Sequence, residues 1–200
     1  MKKLFLAITI LLICTGTGIF AQNGYQNYTF GMSMEQIKSV FPDAEESTFT
    51  SNSLTYLMYH LHKSELPDRM PNPYIWAKED IRILYTGEYT WLSSSYYFIF
   101  NQNRLVGVVT FFPNENVLPD LVNRYGSGLT YGMVFQNSTF LEGRIWQNGT
   151  QRFITWEMYE AMYTNYQVVS YFDAAWVRDL CQKAINNYRE EQQRIRSRLD

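Results

Sequence analysis

Residues 90–112 constrain the fold more than any other stretch. Thr90 to Phe100 and Leu105 to Phe112 are two runs of strand formers joined by Asn101-Gln102-Asn103-Arg104. Asparagine tolerates the left-handed backbone that tight hairpin turns need, so this is a β-hairpin. Tyr96, Phe98 and Phe100 alternate with Tyr97 and Ile99, so both faces of the first run are apolar. On the return run, Val106 and Val108 are expected on one face, Leu105 and Val109 on the other. A strand apolar on both faces belongs mid-sheet, with something covering each side.

The flanking chain supplies the cover. Ser33 is a good N-cap and Gln36 completes a capping box, with Met34, Ile37, Val40 and Phe41 on one face, so residues 33–41 read as a helix ended by Pro42-Asp43. Gly31 allows the sharp entry into that cap. Asn116 to Tyr125 reads as a second helix, with Pro119 tolerable in its first turn and Gly126 just past its end. Asp173 caps a last helix, about Ala174 to Arg196. Its apolar face is Trp176, Val177, Leu180, Cys181, Ala184, Ile185 and Tyr188.

Further strands are expected at residues 54–62, where both faces are apolar and a helix is the alternative, and at Ile81 to Thr86, Leu129 to Phe135, Gly143 to Gln147, Gln151 to Tyr159 and Tyr166 to Phe172. Asn148-Gly149 is a strong hairpin signal. Residues 64–78, with Pro67, Pro71 and Pro73, read as a long irregular loop. Runs of antiparallel hairpins with few helices make this an α+β fold. The expected architecture is an antiparallel sheet built from two helix-plus-β-meander halves, about 22–112 and 113–173, with the C-terminal helix at about 174–196. Residues 22–200 would form a single α+β domain.

The first residues stand outside that fold. Met1-Lys2-Lys3 is basic, Leu4 to Ile13 is apolar but for Thr9, and small, turn-prone residues follow. This is the pattern of a secretory signal peptide, residues 1–21, with cleavage between Ala21 and Gln22. The apolar run is shorter than the roughly 20 residues needed to span a bilayer. Leu11 lies three residues before Cys14, but bulky Ile13 argues against a lipidation site. The short Met-Lys-Lys start looks bacterial, which implies a periplasmic or secreted protein with no stable membrane span in the mature chain. Loss of Lys2 and Lys3 takes the net charge from -2 to about -4. Nothing basic is clustered for nucleic acid. Loss of Cys14 leaves Cys181 alone, so no internal disulfide forms; at an apolar helix position it reads as a small buried hydrophobe.

The stretch Phe30-Gly31-Met32-Ser33-Met34-Glu35-Gln36-Ile37 resembles the entry motif of small bacterial envelope domains, in which such a segment opens a short helix ahead of an antiparallel meander. Phe98-Ile99-Phe100-Asn101-Gln102-Asn103-Arg104-Leu105 resembles their strand-turn-strand. The pattern is similar to the β-lactamase-inhibitor-protein-like fold, which includes the small lipoprotein of the barrel-assembly machinery. This chain departs from that lipoprotein in lacking a lipobox cysteine and in its long 42–80 region. The resemblance implies a non-catalytic scaffold and brings no catalytic residues.

Candidate chemistry is thin. On a strand, His60 and His62 would share a face with side chains about 7 Å apart, a geometry two imidazoles can use on a metal. They are the only histidines, and Glu65 or Asp68 would have to complete a set. A metal-dependent hydrolase built on them is the least favoured reading. No Gly-x-Ser-x-Gly elbow or Gly-rich phosphate loop is present. The sequons at Asn27, Asn137 and Asn148 carry no weight in a bacterial chain.

What remains is an aromatic load of 13 Phe, 16 Tyr and 5 Trp in 200 residues. Strand packing absorbs most of it. Tyr74 and Trp76, in the proline-rich loop, are the best candidates for stacking on a glycan or small ligand. The expected function is a non-enzymatic protein-interaction domain that binds another envelope protein and needs no cofactor; a glycan or small-ligand binder is the alternative.

Overall fold

The computed structural model describes residues 24–25, 27–47, 52–61, 73–87, 95–113, 115–131, 139–161 and 164–198. The chain begins with a small hairpin of β1 (Gly24–Tyr25) and β2 (Tyr28–Thr29). There follow helix α1 (Met34–Val40), strand β3 (Glu45–Ser47), helix α2 (Asn52–Leu61), one turn of helix α3 (Pro73–Trp76), and strands β4 (Ile81–Thr86), β5 (Ser95–Asn101) and β6 (Arg104–Pro113). Helix α4 (Leu118–Tyr125) opens the second set, with β7 (Leu129–Tyr131), β8 (Thr139–Asn148), β9 (Arg152–Ala161), β10 (Thr164–Asp173) and the long helix α5 (Ala174–Arg196).

The fold is α+β. Eight strands form one antiparallel sheet in the order β3-β4-β5-β6-β10-β9-β8-β7. Each half is a helix followed by four strands, and the last strand of each, β6 and β10, pair at the centre. The arrangement reads the same inward from both edges, with α2 and α3 inserted between β3 and β4 of the first half. Among the described residues, each edge strand spans three residues.

Each face of the sheet is covered. On one, Ile99, Val109, Phe153, Val168 and Phe172 pack with Leu54, Leu57 and Met58 of α2 and with the expected apolar face of α5. On the other, α1 covers Leu84, Phe98 and Phe100 through Met34 and Ile37. There too, α4 covers Trp146, Ile154 and Trp156 through Leu121. Phe30 packs against both of these smaller cores, and β1 lies against β6 and β10 at the seam between them. Each fully buried Phe or Leu side chain contributes about 1.5–3 kcal/mol.

Local signals place the helices as expected. Gln36 N–H donates to Ser33 Oγ at 3.3 Å and Ser33 N–H to Gln36 Oε1 at 2.7 Å, the full capping box. Asp173 Oδ1 accepts from the amides of Ala175 and Trp176 at 2.8 and 3.1 Å. Gly31, at φ +97°, turns the chain into α1 while its amide donates to the Leu105 carbonyl at 2.8 Å. Asn103 in the β5–β6 turn accepts from the Met34 amide at 3.1 Å and donates to Glu35 at 3.1 Å. The helix-entry motif and the strand-turn-strand therefore meet in space.

Three expectations change. Residues 54–62 do not form a strand: Asn52–Leu61 is helix α2. Leu54, Leu57, Met58 and Leu61 recur at helical spacing, and that periodicity outweighs the strand-forming composition. The proline-rich loop contains the turn of helix α3, with residues 62–72 outside the described residues. Finally, Val106 does not share a face with Val108. A register shift lies opposite Ile99 and Phe100, so Val106 and Val109 enter one core and Leu105 and Val108 the other. One extra residue in a strand flips every side chain before it.

Several expected elements also differ in extent. β8 is longer than expected at both ends; β7 is described over Leu129–Tyr131 and β5 from Ser95, the rest of those two expected strands lying outside the described residues. Residues 88–94 and 132–138 lie outside the described residues.

Candidate functional site

The polar centre of the molecule is Glu157 on β9, 1% exposed. It lies on the inward face that also carries Phe153 and Tyr159. Its register partners are Gly143 on β8 and Val168 on β10. Three hydroxyls reach its carboxyl. Tyr131 donates to Oε1 at 2.7 Å, while Tyr159 and Ser53 donate to Oε2 at 2.7 and 2.9 Å. No lysine, arginine or histidine pairs with it among the described residues. Burial pushes the carboxyl above its ordinary range, and the three hydroxyl hydrogen bonds offset only part of that rise.

The three donors come from three elements. Ser53 sits in the first turn of α2, Tyr131 ends edge strand β7, and Tyr159 lies two residues along β9. Tyr131 pairs with Gly143, which pairs with Glu157, so the phenol must cross two strand spacings, about 9.6 Å. A Cβ at Gly143 would run into the Tyr131 ring. The glycine thus lets the ring lie flat over β8 and reach the acid.

A line of rings leads to this group across the sheet. Tyr85 on β4 stacks on Tyr97 of β5 with centroids 4.6 Å apart. Tyr97 meets Phe111 of β6 at 5.4 Å, and Phe111 stacks on Tyr166 of β10 at 6.2 Å. Tyr166 stacks on Tyr159 at 5.2 Å, with planes 10° apart. Tyr159 then donates to Glu157. Tyr97 and Tyr159 are buried, whereas Tyr85, Phe111 and Tyr166 remain partly exposed.

All these rings lie at one end of the sheet, where β4, β6, β7 and β9 finish. The connections 87–94, 114–117 and 132–138 leave from that end. The opposite end has tight turns, with Gln102 and Asn103 at positive φ in one and Gly149 in another, and it also carries the longest connection, residues 48–80 between β3 and β4. Segments at the end of a rigid sheet are a common position for binding.

The residues singled out in the sequence lie elsewhere. Trp76 is half-buried, edge-on to Tyr188 of α5 with centroids 5.3 Å apart, and its carbonyl accepts from Asn187 at 2.8 Å. Tyr74 falls in α3, but its side chain is outside the described residues, whereas neighbouring Ile75 is 59% exposed. His60 is exposed near the end of a helix, so the strand face it was expected to share with His62 does not exist there. His62, Ala21 and Gln22 lie outside the described residues. Among the described residues, no group of three or more His, Cys, Asp or Glu is placed to hold a metal ion. Cys181 is fully buried in the core, and burial pushes its thiol up to about 12.

Glu157 was legible in principle. Phe153, Thr155, Glu157 and Tyr159 alternate with Ile154, Trp156 and Met158, so an acid falls on a core-facing position of a strand. The ring line was not, because it depends on strand order across the centre of the sheet. No family model matches this chain, and no curated protein or solved structure matches it either.

Proposed function

We propose that this is an exported, non-catalytic interaction domain that meets another envelope protein at the end of its sheet where β4, β6, β7 and β9 finish. The observation that carries the reading is the line of rings there, in which Tyr85, Phe111 and Tyr166 offer partly exposed aromatic surface on a rigid support. Aromatic side chains give large contact area at low entropic cost, which suits them to interfaces. Two groups with reactive potential are turned inward: Glu157 is engaged by the chain's own hydroxyls and Cys181 is buried. Export is supported by the leader-like residues 1–21, and the scaffold role by the resemblance carried on Phe30 to Ile37.

A photoreactive phenylalanine analogue placed at position 85 or 166 in the full chain tests this in intact cells. Crosslinks to one other envelope protein are expected from both positions, and not from position 179 on the exposed side of α5. Recovery of the monomer alone across growth conditions would overturn the reading.

A further inference from the structure

The Glu157 cluster joins β7, α2 and β9 through one carboxyl. Among the described residues, β7 is a three-residue edge strand that pairs with β8. Helix α2 rests on the sheet through Leu54, Leu57 and Met58. Both are bonded to the same carboxyl, through Tyr131 and Ser53. By contrast, β5, β6 and β10 are each paired on both sides.

We propose that Glu157 is a proton-operated tie: neutral, it holds β7 and α2 to the sheet, and on ionising it loosens both. A buried carboxylate with no countercharge costs several kcal/mol even when hydroxyls donate to it. The cost is relieved by admitting water. β7 and α2 supply two of the three hydroxyls on the carboxyl, so they are the elements that move when it does. A displaced β7 also bares the backbone groups of Gly143 to Ile145 on β8, which become available to another strand.

The surroundings leave Glu157 as the group that titrates. Among the described residues, the titratable groups turned into the same core are tyrosine phenols, those of Tyr59 on α2, Tyr85 on β4, Tyr97 on β5, Tyr131 on β7, Tyr159 on β9, Tyr166 on β10 and Tyr188 on α5, and the Cys181 thiol of α5. Phenols and a buried thiol stay neutral below about pH 9. α2 contributes Ser53 and Leu54, and β8 contributes Gly143 and Ile145, none of them charged. His60 of α2 is exposed and belongs to a different part of the helix. Burial raises the folded-state value of Glu157 above that of the unfolded chain. Its stabilising contribution is therefore complete below the unfolded value and is lost as pH rises through the folded one.

Hydrogen exchange with mass spectrometry, corrected for intrinsic rates, tests the tie at about pH 5 and about pH 8. In the wild type, protection of α2 and β7 relative to β5 and β6 is expected to fall by about tenfold between the two. In Glu157→Gln the ratio should stay constant. Tyr159→Phe removes one donor to the carboxylate, so the midpoint of loosening should move to higher pH. An equal pH response in wild type and Glu157→Gln, or an unmoved midpoint in Tyr159→Phe, would overturn the proposal.

Discussion

Glu157 and Gln167 lie on adjacent strands and on opposite faces of the sheet, and each is a buried polar side chain satisfied by its own chain. Gln167 accepts from Trp156 Nε1 at 2.7 Å and from the Val117 amide at 3.1 Å, and donates to the Glu115 carbonyl at 2.6 Å. An amide is both donor and acceptor, so it ties the approach to α4 onto β10 at any pH. Glu157 binds donors only, and a carboxyl exchanges a proton. The same structural task is thus done once by a pH-blind group and once by a group whose burial opposes its charge. The difference teaches where proton concentration can act on this molecule: on the α2 and β7 side, not on the α4 side.

Deleting each group separates the two sides. Glu157→Ala removes the shared acceptor of three hydroxyls and opens a cavity, with an expected loss of about 3 kcal/mol in urea unfolding. Gln167→Leu strands the Trp156 indole, the Val117 amide and the Glu115 carbonyl, with an expected loss of about 2 kcal/mol. The second loss should be the same at acid and neutral pH. The first should be larger at acid pH, where the neutral carboxyl contributes most. Equal pH dependence in both variants would erase the distinction. Gly143→Ala makes a smaller change, about 1–2 kcal/mol, by pushing the Tyr131 ring off β8. It should loosen β7 while leaving the Gln167 side as protected as in the wild type.

The sequence carried the fold further than it carried the site. The capping box at Ser33 and Gln36, the Asp173 cap and the apolar stripe of α5 are local signals, and the structure uses each as written. Helix α2 misled because Tyr, Thr and His favour strands by composition, while the leucine spacing was helical. The faces of β6 misled because a bulge has no signature in alternating apolar residues. Tyr74 and Trp76 stood out for lying outside strand patterns, yet the Trp76 ring spends itself on Tyr188. The rings that line up at one end of the sheet looked like ordinary strand filling. Their alignment depends on β6 pairing with β10, a contact between residues far apart in the chain.

The most direct measurement is the titration of the Glu157 side-chain carboxyl carbon by NMR in the folded protein. Its midpoint should lie above the ordinary 4.5, with the Tyr131 and Tyr159 ring signals shifting in step. A midpoint at or below 4.5 would mean that the three hydroxyls outweigh burial, and that Glu157 is a fixed ionised anchor with no part in any pH response.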